Sequence, residues 1–185
     1  MTPVQIFALT LIILAVLFIA YYIYRQIIWS RVNRHYAFAR FKEANDEIDK
    51  LYSRTFLSIR KKMDVYKASC LLLLGDYDNF LIQIKKIKKT SLKYGVYYYY
   101  YMIAYLIIKE DFKQAEILYG ELAKKFRVDR ELDLVTPLAI LLSEKGDKKA
   151  FKKLKELKRN RHIDITFLAV ANDYIRKHKN DERFN

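Results

Sequence analysis

From Val4 to Tyr24 the chain reads VQIFALTLIILAVLFIAYYIY, 21 residues with no charged side chain. A bilayer core takes about 20 apolar residues in helical rise, so this stretch is long enough to span one. Tyr21, Tyr22, Tyr24 and Trp29 follow at its C-terminal end, with Arg25, Arg31 and Arg34 among them. That is the aromatic and basic composition of a membrane–water interface. A cleaved signal peptide would need basic residues before the apolar run and a small-x-small site after it. Neither is present here, so an uncleaved single-pass anchor is expected over residues 1–29. Arg40 and Lys42 extend the basic flank. By the positive-inside rule the N-terminus then lies outside and the rest of the chain faces the cytoplasm, at the plasma membrane.

The remainder is expected to be all-α. Only 4 glycines and 2 prolines occur in 185 residues, too few for a fold built on many tight turns. Apolar residues recur at three- and four-residue steps, the spacing of one helix face. The formal net charge is +14, all of it after Tyr24, which admits contact with anionic lipid headgroups or an acidic partner. Nucleic acid is an unlikely partner, because the basic residues form no ribbon with interleaved aromatics and no RNA-binding motif appears. Cys70, the single cysteine, sits among leucines and reads as a buried thiol.

The first glycine is Gly75, in LLLLGDYDNF, and the same punctuation recurs in LIIKEDFKQA and LLSEKGDKKAF. The aspartates Asp76, Asp111 and Asp147 stand 35 and 36 residues apart. Each follows an apolar segment and precedes an amphipathic one, so each marks the turn of a helical hairpin, and a period in the mid-thirties suggests tandem hairpins. The expected pairs are a helix ending at Leu74 with Tyr77 to about Lys89, Val96–Ile108 with Phe112–Phe126, and Leu134–Glu144 with Lys148–Arg159. Gly75, Gly95 and Gly146 are expected at helix ends, where positive φ is easily adopted. Gly120 falls inside a helix, either for close packing or at a cost of about 1 kcal/mol against alanine.

With GDY at Gly75–Tyr77 and EDF at Glu110–Phe112, the chain resembles the tetratricopeptide (TPR) family, in which such a triplet joins first helix to second. GDK at Gly146–Lys148 keeps only the turn. The family's small residue in the first helix falls on Ala68 and Ala139 but on Ile103 in the middle unit. Its small residue early in the second helix is Ala115, against Phe80 and Phe151 elsewhere, and no proline closes a unit. A stack of plain α-α hairpins without that kinship remains open. The expected organisation is an anchor (1–29), a membrane-proximal helical segment (30–59), about three TPR-like hairpins (60–160), and a C-terminal capping helix with tail (161–185).

The resemblance implies that first helices line a groove that takes a protein partner. It places Lys62, Val65 and Ser69, then Tyr97, Tyr100, Ala104 and Ile107, then Asp133, Thr136 and Ile140 on that groove. The run VYYYYYMIAYLII supplies the tyrosines, which either line the groove or fill the core. Five consecutive positions wrap a helix completely, so both environments are expected. Lysines crowd the second helices, at Lys85, Lys86, Lys88 and Lys89 and again from Lys148 to Lys158.

No catalytic pattern emerges: His35, His162 and His178 are isolated, and there is no HExxH, cysteine pair, phosphate loop or G-x-S-x-G elbow. The expectation is a membrane-anchored adaptor or scaffold without a cofactor and without enzymatic activity. The alternative is a non-catalytic subunit of a larger membrane complex.

Overall fold

The computed structural model describes residues 2–52, 57–91, 93–126, 134–157 and 164–184, and all regular structure among them is helical. Two compact units divide the chain, Met1–Thr55 and Phe56–Asn185.

The first unit holds α1 (Pro3–Ala37) and α2 (Phe41–Tyr52). Thr2 opens α1 with a reciprocal capping box: its hydroxyl accepts from the Gln5 N–H while the Gln5 side chain accepts from the Thr2 N–H. From Thr2 to Ala20 every residue is exposed. Among the described residues α1 is the one helix long and apolar enough to cross a membrane. It does not end with the apolar run but continues into a charged stretch that packs with α2. Ile28, Trp29, Val32, Ala44 and Ile48 are buried there, and the Tyr36 and Phe41 rings meet edge-on at 5.6 Å.

The second unit contains α3 (Leu57–Leu74), α4 (Tyr77–Ile84), α5 (Gly95–Ile108), α6 (Phe112–Lys125), α7 (Val135–Glu144), α8 (Lys148–Leu157), α9 (Ile165–Lys177) and a 3-10 turn at Glu182–Phe184. Helices pair α3 with α4, α5 with α6, and α7 with α8, while α9 touches α3, α5, α7 and α8.

One turn recurs four times. Ala39, Gly75, Glu110 and Gly146 all adopt positive φ, at 55°, 75°, 61° and 88°. Behind each, the following N–H reaches the carbonyl five residues back: Arg40 to His35, Asp76 to Leu71, Asp111 to Leu106, Asp147 to Leu142, at 2.9–3.1 Å. This is a Schellman closure, which satisfies carbonyls that a helix end would orphan. In the last three turns an aspartate then caps the next helix, Asp76 accepting from the Asn79 N–H, Asp111 from Gln114, and Asp147 from Lys149 and Ala150. The four positive-φ residues are 36, 35 and 36 positions apart. Seven residues before each lies a buried side chain (Val32, Ala68, Ile103, Ala139), and five after lies another (Ala44, Phe80, Ala115, Phe151). The same local grammar therefore begins within α1, at a bend between α1 and α2 that no glycine or proline announces.

Two expectations change, and one open alternative closes. The helix after Gly75 ends at Ile84 rather than near Lys89. Lys85, Lys86, Lys88 and Lys89 are like charges that would repel at helical spacing; the chain leaves instead through i→i−3 bonds from the Lys86 and Ile87 N–H groups. Gly95 has no positive φ: a Cβ there would sit 2.5 Å from the Lys89 carbonyl oxygen, so close approach is what requires glycine. Gly120 has nothing within 4 Å of a built Cβ, so it serves no close packing.

Candidate functional site

The residues expected to line an open groove are brought together, but under the chain's own α9. Asp164 starts α9 by accepting from the Thr166 N–H. Thr166, Phe167, Val170, Ala171 and Tyr174 then form one buried stripe at three- and four-residue steps. The Thr166 hydroxyl lies 2.8 Å from that of Ser69 on α3, with both residues fully buried. The Phe167 ring packs on Tyr100 of α5, centroids 4.5 Å apart. Lower down, Tyr174 donates to the Glu144 carboxylate at 2.9 Å and meets the rings of Phe112 and Phe151 edge-on.

Val65, Ser69, Tyr100, Ala104, Ile107, Thr136 and Ile140 are consequently buried. Tyr97 is half-buried, Lys62 is exposed, and Asp133 lies outside the described residues. Tyr99, Tyr100 and Tyr101 are interior and Tyr97 and Tyr98 partly so, which makes the tyrosine run mainly core. The Tyr99 hydroxyl is met by Lys125, whose Nζ donates to it at 2.6 Å. Nothing in the sequence of the groove helices announces its cover. The signal lay in α9, whose apolar stripe ITFLAVANDY is broader than an end cap needs.

Of the residues expected at a membrane interface, Tyr22, Tyr24, Arg25, Arg31 and Arg34 are exposed and Tyr21 half-buried, but Trp29 is only 8% exposed. Trp29 is thus enclosed by protein, because α1 is already part of a packed hairpin at that point.

An uncovered apolar row lies on the other side of α7. Val135, Leu138 and Leu142 are 44%, 38% and 38% exposed. They line an open groove of ≈ 230 Å³ between α7 and α8 with Ala139, Asp147, Lys149, Ala150 and Lys153. On α8, Ala150, Phe151 and Leu154 turn inward while Lys148, Lys149, Lys152, Lys153 and Lys155 are exposed. Sequence reading assigned no role to Val135, Leu138 and Leu142. The available signal was that VTPLAILL is apolar nearly all round, more than a helix with one solvated side requires.

The chemistry of nucleophiles and metals is poorly served. Burial among apolar side chains pushes the Cys70 thiol up to about 12, so it is not a thiolate at neutral pH. No group of three or more His, Cys, Asp or Glu gathers as metal ligands among the described residues. Two carboxylates, exposed Glu110 and half-buried Asp181, are held low by hydrogen bonds from Lys177 and Arg183 respectively.

No protein-family model matches the chain, and no curated protein or solved structure is significantly similar to it.

Proposed function

We propose that this chain is a membrane-anchored, non-catalytic protein-interaction module, a degenerate TPR-like array of helical hairpins that holds a partner protein at the cytoplasmic face of the plasma membrane. The observation that supports this most is the fourfold turn at Ala39, Gly75, Glu110 and Gly146. Its constant spacing is what tandem hairpins produce, and such arrays work by presenting surface. The uncovered apolar face from Thr2 to Ala20 supports the anchor, since water solvates such a surface poorly and lipid solvates it well. The apolar run and the first half of the α1–α2 hairpin belong to one unbroken helix, Pro3–Ala37. The exposed lysines of α8 offer a complementary surface to anionic headgroups or to an acidic protein.

The subunit alternative treats the helical surface as obligate assembly contact, so that the isolated domain would be unstable. The covered face of α3, α5 and α7 weighs against it, since the second unit already closes its own core with α9. The test is affinity purification of the full-length chain in detergent or nanodiscs from its native membrane. A protein recovered in stoichiometric amount is the expected result. Recovery of the chain alone, or turnover of a substrate by the purified chain, would overturn the reading.

A further inference from the structure

We infer that the open groove between α7 and α8 is a docking site for an acidic amphipathic helix of a partner protein. This rests on the interaction-module reading above and supplies the chemistry of its partner. The apolar element is a stripe: Val135, Leu138 and Leu142 follow one another at i, i+3 and i+7 along α7, all partly exposed, while Thr136, Ala139, Ile140 and Ser143 face inward. The floor is low because Ala139 and Ala150 are small, which leaves the ≈ 230 Å³ recess between the two helices. A row of side chains beside a shallow trough is the form that accepts the apolar face of a helix.

Charge decides the kind of helix. Lys149 and Lys153, one turn apart on α8, form one wall, and Lys148, Lys152 and Lys155 surround it. Among the lining residues the sole carboxylate is Asp147, and its Oδ1 already accepts from the Lys149 and Ala150 N–H groups at 2.9 and 3.1 Å. An incoming helix with Asp or Glu flanking its apolar stripe meets complementary potential, whereas a basic helix is repelled. The same reasoning disfavours a second copy of this chain, which would bring lysines against lysines. A lipid surface would engage the lysines but leave the recess and its leucine row unfilled.

The experiment places a photoreactive amino acid at Leu138 of the full-length chain in its native membrane, with the same probe at Ile117, an exposed apolar position on α6, as the control. The expected result is an adduct from position 138 alone, to a peptide with apolar residues at helical spacing flanked by acidic ones. Lys149→Glu with Lys153→Glu should lower its yield by about tenfold, the scale on which reversing two charges at a contact weakens binding. Both lysines are exposed, and an unchanged thermal melt of that variant shows that the loss is local. An adduct to lipid, an adduct to a second copy, no adduct, a peptide without acidic residues, or a yield indifferent to charge reversal would each overturn the inference. A stoichiometric partner whose adducts lie elsewhere would sink this docking site and leave the interaction-module reading standing. Absence of any co-purifying partner would sink that reading itself.

Discussion

The hydroxyls of Ser69 and Thr166 meet at 2.8 Å in the interior although 97 residues separate them. This contact pins the N-terminal end of α9 to α3, at the face that would otherwise be an open groove. Removing either hydroxyl takes a buried hydrogen-bond partner from the other, whereas replacing both by apolar groups removes the need for the contact. Ser69→Ala and Thr166→Val should therefore each destabilise the fold by about 1–3 kcal/mol. The double variant should lie closer to the parent than the sum of the two. Chemical denaturation of all four chains tests this as a thermodynamic cycle, and simple additivity would refute the coupling.

Two glycines should respond in opposite directions. Gly120→Ala adds a methyl group to open space inside α6 and should stabilise by about 1 kcal/mol. Gly95→Ala drives a Cβ to 2.5 Å from the Lys89 carbonyl oxygen, which is backbone and cannot swing away, so the melting temperature should fall. Matching shifts for the two would contradict the placement of α5 against the 85–89 segment.

Glu110 occupies the position held by Gly75 and Gly146 in the neighbouring turns, with φ at 61°. An L side chain is strained there, whereas glycine is not. Glu110→Gly should raise the melting temperature even though it removes the 2.8 Å contact with Lys177, because an exposed ion pair is screened and contributes little. The hydrogen bond from Lys177 holds the Glu110 carboxyl below its ordinary value of 4.5. Its small contribution is thus present above that pH and disappears as pH falls through the lowered value. Glu110→Gln should flatten that acid limb without the gain expected from glycine. Circular-dichroism melts across the acid range separate the two effects.

The Cys70 thiol is fully buried and pushed up to about 12. A maleimide or aromatic disulfide reagent at pH 8 should leave it unmodified in the native chain and label it once denaturant is added. Rapid labelling of the folded protein would mean that the interior of α3 is open.

Much of this architecture is written locally. Uncharged residues from Val4 to Tyr24 dictate a lipid-compatible helix, and Gly75, Gly146 and the aspartates after them dictate hairpin turns, because positive φ and a side-chain cap are properties of single residues. The bend at Ala39 carries no such mark. Ala39 is driven into the left-handed region by the closure of α1 and α2 on each other, a cost only the packed hairpin offsets. The groove shows the same division. The resemblance to TPR hairpins put Val65, Ser69, Tyr100, Ala104, Ile107, Thr136 and Ile140 on related faces, and those faces do share one environment. Whether that environment is solvent or protein depends on where α9 lies, and a helix's apolar stripe specifies that it will be buried without specifying against what. Burial is a property of the pair, so the tertiary structure alone decided that the concealed surface is α3–α5–α7 and the uncovered one is the lysine-walled trough beside Leu138.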